Sequence, residues 1–284
     1  MLQHDRQLKV IAKAIEKKIK SELEKMMESD RDRYEKVFDA FGIQLKYGLY
    51  SDYGAHKDVL TDLLLFKNSG DKRYMSLKEY KDGMKEGQKA IYYAAGETES
   101  KIEMLPKTAA VKAQGYEILY LTDDVDEFAL RMLGKYGNFE FKNVTDEDLD
   151  LISDEERENV KRESESAEDM LKLMKEAIGK VSAVKFTASL GDYPVSLSSE
   201  GELSLEMAKT LKKMPGTDGA PDASVVLEVN VKHPIKEKLT ALYETDKESL
   251  GKYAKILFAE ACLVSGMPIE NPKELTELIT ELMV

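Results

Sequence analysis

"GYEILYLTDDVDEFAL", residues 115–130, runs from a short apolar block into a helical pattern across a cluster of aspartates. "YEILYL" at 116–121 is short, apolar and bounded by turn signals, which reads as a buried strand. A helix is expected over about 124–134, with Asp123, Asp124 and Asp126 at its start, where carboxylates stabilise unpaired N–H groups and the positive end of the helix dipole. "QKAIYYAAG" at 88–96 has the same texture and leads into a helical pattern over about 98–113. Strand, helix, strand, helix predicts a small parallel α/β unit with right-handed crossovers, and "FEFKNV" at 139–144 adds a third strand.

Upstream the pattern is helical. Leu8, Ile11, Ile15, Ile19 and Leu23 repeat at helical spacing through residues 5–28. Tyr34, Val37, Phe38 and Phe41 form a second cluster, and Val59, Leu60, Leu63, Leu64 and Phe66 a third. Near residue 70 the texture changes to a loop and a new helix start, with Ser76 as cap and Glu79 three residues on.

Downstream, "SDEERENVKRESESAED" at 153–169 is a charge run with no apolar period and marks a boundary. Beyond it the texture is α+β. A helix is expected at 169–179, a strand at 181–188, a turn-rich stretch through "LGDYPVSLSSEG", the alternating strand "SVVLEVN", and closing helices at about 234–243, 247–264 and 272–283. Between the turn-rich stretch and "SVVLEVN", Leu203, Met207, Leu211 and Met214 share one helical face, with Glu206, Lys209, Lys212 and Lys213 on the other side. The period alone favours a core face, whereas methionine also suits an adaptable binding surface. The fold class is therefore α/β and α+β: a helical segment, a small three-layer α/β unit and an α+β segment ending in helices.

Composition narrows the function. Lys+Arg 42 against Asp+Glu 54 gives a net charge of -12, which argues against a general nucleic-acid or anionic-membrane binder. Cys262 is the one cysteine, so no internal disulfide forms, in keeping with a reducing cytoplasm. No apolar run approaches the roughly 18 residues that cross a bilayer, and the first residues lack a secretory signal.

Residues that carry chemistry are sparse. His4, His56 and His233 are scattered, and no phosphate-binding glycine loop or nucleophile elbow occurs. Asp146, Asp148 and Asp150 mimic the start of a calcium loop, but Leu151 and Arg157 stand where that loop needs Gly and Glu. Cys262 lies on an apolar helix as a packing residue. No metal ligand set is read. A binding or scaffold protein is favoured over an enzyme. The competing reading is an unrelated small α/β enzyme or regulatory domain with a carboxylate site near Asp123–Glu127.

Several collinear stretches resemble the ninety-kilodalton heat-shock protein chaperones of the bacterial HtpG type. "MLQHDRQLKVIAKAI" at 1–15 is similar to the start of the helix after that family's middle-domain arginine loop. "MKEGQKAIYYAAGET" at 84–98 and "GYEILYLTDDVDEFAL" follow its pattern closely, and "LEVNVKHPI", "AEACLVSG" and "IENP" appear in its C-terminal order. Two departures stand out: Val231 follows Asn230 where the family usually has proline, and Phe128 replaces a tryptophan of some bacterial members.

The resemblance implies a molecular chaperone fragment. Residues 1–69 would be the helical part and 70–152 the small α/β part of the middle domain, 153–168 a charged linker or helix, and 169–284 the C-terminal dimerisation domain. The ATPase domain would lie upstream, so ATP and magnesium are expected for the full-length parent and no cofactor for this stretch. Gln3 would be a remnant of the nucleotide loop. Non-native client proteins would meet Glu127, Phe128 and Arg131, and also Leu203, Met207 and Leu211 on an exposed helix. A homodimer would form through Leu250, Tyr253, Leu257, Ala261 and Val264 together with Leu275, Leu278, Ile279 and Leu282, behind an Asn271 cap and Pro272. No nucleic acid or membrane partner is implied, and the location would be cytoplasmic.

Overall fold

The computed structural model describes residues 6–147, 149, 151–214, 216 and 219–283. The chain divides into two compact units, one drawn from Met1–Tyr93 and Glu117–Phe141, the other from Ala94–Tyr116 and Lys142–Val284.

The first unit opens with helices α1 (Arg6–Ser29) and α2 (Arg31–Ser51), joined through Asp30, whose side chain accepts the Arg33 amide. A short α3 (Lys57–Leu60) and a 3-10 turn lead into β1 (Leu65–Asn68) and β2 (Tyr74–Ser76). Helix α4 (Leu77–Asp82) starts at the expected Ser76 and Glu79, which cap each other's backbone reciprocally. In chain order there follow β3 (Ala90–Ala95), then α5 (Glu99–Glu103) and α6 (Pro106–Ala113), which belong to the second unit, and then β4 (Ile118–Leu121), α7 (Asp126–Leu133), β5 (Lys135–Tyr136) and β6 (Phe139–Asn143). Six strands make one sheet in the order β2-β1-β4-β3-β6-β5.

Three sequence expectations change here. The sheet has six strands rather than three: β1 runs antiparallel to both β2 and β4, and β5 antiparallel to β6. The third apolar cluster is not all helical: Leu65 and Phe66 lie on β1, where a continuous apolar run suits a strand buried on both faces. The helix expected over 98–113 is two helices, since Pro106 has no N–H to continue α5 and instead occupies the first turn of α6.

In the second unit the charged run becomes α8 (Asp154–Ser166), opened by a reciprocal cap between Ser153 and Glu156. Helix α9 (Glu168–Ile178) ends at Gly179, whose φ of 70° is the left-handed conformation that glycine adopts without strain. The sheet is β7 (Ala183–Thr187), β8 (Val195–Glu200) and β9 (Ser224–Asn230), with β9 central, parallel to β7 and antiparallel to β8. Helix α10 (Leu205–Lys213) lies between β8 and β9 in sequence, and α11 (Ile235–Thr245), α12 (Lys247–Val264) and α13 (Pro272–Met283) close the chain.

On one sheet face Val184, Phe186, Val195, Leu197, Leu227 and Val229 pack with α9 and α12 into the core. The turn-rich reading of 190–201 missed β8, because Ser196 and Ser198, which resemble turn residues, point to the opposite face and are buried there.

Candidate functional site

The aspartates before α7 do more than cap it. Asp126 is buried and its Oδ2 accepts the Asp123 amide at 3.1 Å, while its Oδ1 lies 2.5 Å from Lys46 Nζ. Asp123 Oδ2 is 2.9 Å from the same ammonium, which also sits 5.1 Å from the Phe66 ring centre and 5.4 Å from that of Phe38. Burial pushes the Asp126 carboxyl up to about 6, against the pull of Lys46. A single lysine ammonium thus bridges the two carboxylates of this pair. Among the described residues no group of three or more His, Cys, Asp or Glu is placed to hold a metal ion. Asp148 and Asp150 of the calcium-like run lie outside the described residues, as does Gln3.

The α7 trio separates. Arg131 is exposed, but Glu127 is buried and accepts a hydrogen bond from the Tyr93 hydroxyl at 3.1 Å. Phe128 is only 7% exposed, with the Tyr50 ring edge-on to it at 5.3 Å. The aromatic surface open to solvent is instead on and after α2, at Tyr47 and at Tyr53, which is 89% exposed with a φ of 55°. Ile43, Tyr47 and Tyr50 follow an i, i+4, i+7 period, a signal present in the sequence but not singled out there.

Helix α10 begins at Ser204, whose hydroxyl accepts the Met207 amide at 3.0 Å. The exposure expected of its stripe is not found: Met207 is 5% exposed, and Leu203 and Leu211 are half-buried. A helical period reports that a face is apolar and not what covers it.

The closing helices are corrected in the same way. Leu250, Leu257 and Ala261, expected at a subunit interface, belong to the core of their own unit, where α12 meets α9. Tyr253 packs partly against that core, and Val264 is half-buried. Helix α13 starts as expected, with Asn271 Oδ1 accepting the Glu274 amide and Pro272 at the first helical position. It buries no residue completely: Leu275 and Leu278 are half-buried, and Ile279 and Leu282 are exposed, as is Leu263 near the end of α12.

Sequence reasoning missed one buried constellation. Lys107 of α6 and Glu228 of β9 are both buried and meet at 2.8 Å, and Lys107 also donates to the Asp146 carbonyl at 2.6 Å. The alternation of "SVVLEVN" shows that Glu228 faces away from the apolar core, but nothing local shows that this second face is covered too.

Among the described residues no helix is long and apolar enough to cross a membrane. The sequence matches the Hsp90 protein family over residues 1–284. It is 50% identical over 284 residues to the chaperone protein HtpG of Clostridium acetobutylicum, and 51% identical to that of Clostridium perfringens. It is 46% identical over 285 residues to the chaperone protein HtpG of Bacillus subtilis. All of this chain is covered in each case, and it spans 45% of the length of each relative. With a match from end to end and the strand and helix blocks in place, the chain belongs to the Hsp90 protein family.

Proposed function

We propose that this chain is the client-handling and self-association part of an ATP-dependent molecular chaperone. The observation that carries the reading is the match of all of this chain, at about half identity, to part of the HtpG chaperones. ATP binding with magnesium, and hydrolysis, are assigned to the remainder of such a protein, and this stretch is expected to show no ATP turnover alone. The reading places it in the cytoplasm, without nucleic-acid or membrane partners.

Self-association is assigned to α13 with the end of α12. Two helices that leave Leu263, Ile279 and Leu282 exposed gain burial by pairing with the same face of a second copy. Sedimentation equilibrium should find a dimer, and Ile279→Asp with Leu282→Asp should yield a folded monomer. A wild-type monomer at all concentrations would refute this assignment.

Client contact is assigned to exposed Arg131, to the exposed aromatic residues Tyr47 and Tyr53, and to the α10 stripe. Non-native chains expose apolar side chains, and a flexible Leu/Met stripe accepts them with little sequence demand. Leu203→Ser with Leu211→Ser should weaken suppression of insulin B-chain aggregation at small cost in stability. Met207→Ser, at a buried site, should lower stability by about 2–4 kcal/mol. Unchanged suppression in the Leu203/Leu211 variant would count against the stripe.

A further inference from the structure

Helix α10 carries two stripes side by side. One is Met207 and Leu211, flanked by Leu203 just before the helix and Met214 just after it; the other is Glu206, Lys209 and Lys213, at i, i+3 and i+7. The second stripe is engaged along its length. Lys209 Nζ is 2.5 Å from Glu206 and donates at 3.1 Å to the Ser265 carbonyl. Ser265 caps the C-terminal end of α12, where a cation complements the helix dipole. Lys213 reaches Glu97, just before α5, at 3.5 Å, and Glu97 also pairs with Lys101. Glu206, Lys209, Glu97, Lys101 and Ser265 line one small cavity at this junction.

The Lys213–Glu97 pair is half-exposed and contributes little, whereas Lys209 and Glu206 are largely buried. Only Leu205 of α10 joins the apolar core cluster of the unit. Gly201 precedes the helix with a φ of 90°, a conformation that residues with a Cβ rarely adopt.

We propose that α10 is a strap, held closed by Lys209 on the end of α12 and by Lys213 on Glu97, and that a non-native polypeptide gains Met207 only when the strap lifts. This rests on the client-binding reading of α10 given above. The partner class is an unfolded chain presenting apolar side chains, and the regulation is electrostatic: whatever neutralises the lysines or Glu97 favours the open state.

Charge exchange tests it. Glu97→Lys and Lys213→Glu each set like charges against one another, and the double variant restores an opposite pair. Amide hydrogen exchange of residues 207–213 should quicken about three- to tenfold in each single variant and return to within about twofold of wild type in the double. Lys209→Met, which removes the bond to the Ser265 carbonyl, should act like the single variants. Suppression of insulin B-chain aggregation should rise in parallel, with melting temperature little changed. Wild-type exchange in all the single variants would overturn the strap. Faster exchange with unchanged suppression would leave the strap in place and refute its link to clients.

Discussion

Replacing Lys107 by methionine is expected to remove about 3–5 kcal/mol from the stability of the second unit, because a buried carboxylate loses its cation. Glu228 is fully enclosed and lies opposite Lys185 on β7 and Ser196 on β8. Lys185 is engaged elsewhere, with Glu147 at 2.7 Å and Glu200 at 3.6 Å, so it is a poor substitute for Lys107. Burial raises the Glu228 carboxyl above its ordinary range even with Lys107 beside it. Without Lys107 the carboxyl must take up a proton to stay inside, and the loss should be smaller at pH 5 than at pH 8. Adding Glu228→Leu should recover most of the stability, since a hydrophobic pair of similar size often replaces a buried ion pair without penalty. Urea denaturation followed by far-ultraviolet dichroism measures both variants. A single variant within about 1 kcal/mol of wild type would show that the pair is not enclosed as described.

Lys46→Met should destabilise the first unit by a similar amount, about 3–5 kcal/mol at pH 8. Methionine keeps most of the packing against Phe38 and Phe66 but leaves Asp126 buried beside Asp123. The sign of the pH dependence follows from the raised Asp126 carboxyl, which titrates at about 6 rather than in its usual range. A group with a raised folded-state pKa contributes stability that is complete below its unfolded value and is lost as pH rises through the folded one. Removing Lys46 raises that carboxyl further, so the variant's deficit should widen from about pH 4 to pH 8. A deficit independent of pH would mean that Lys46 acts through packing rather than charge.

Much of the fold was legible in local chemistry. Apolar blocks placed β3 and β4, Ser76 with Glu79 and Asn271 with Pro272 marked two helix starts, and apolar periods placed α9 and α12. What was not legible depended on neighbours distant in sequence. β8 was hidden because its serines are buried by a second layer that no local pattern announces. The α10 and α12 stripes were correctly seen as apolar, yet which of their residues meet their own unit and which meet solvent depends on how each helix is rotated in the fold. Phe128 was covered by Tyr50, 78 positions earlier, and Lys46 and Lys107 found their carboxylates 80 and 121 positions later. Lysines with no local signal of burial are the residues that sequence reasoning passes over most readily.

The span between Lys107 and Glu228 also has a meaning in time. Lys107 is synthesised 121 residues before its partner, a delay of about 6–24 s at typical elongation rates. During that interval α5 and α6 have left the ribosome, but the strand that neutralises Lys107 does not exist. Residues 94–116 must therefore wait, solvated or loosely held, while β3 and β4 on either side of them can already pair. β9 then inserts between β7 and β8 and receives the lysine in the same movement, before α11 and α12 complete the core of the second unit. Slowing translation after residue 116 would lengthen the life of that open intermediate, and a general holdase should bind the nascent chain most strongly there.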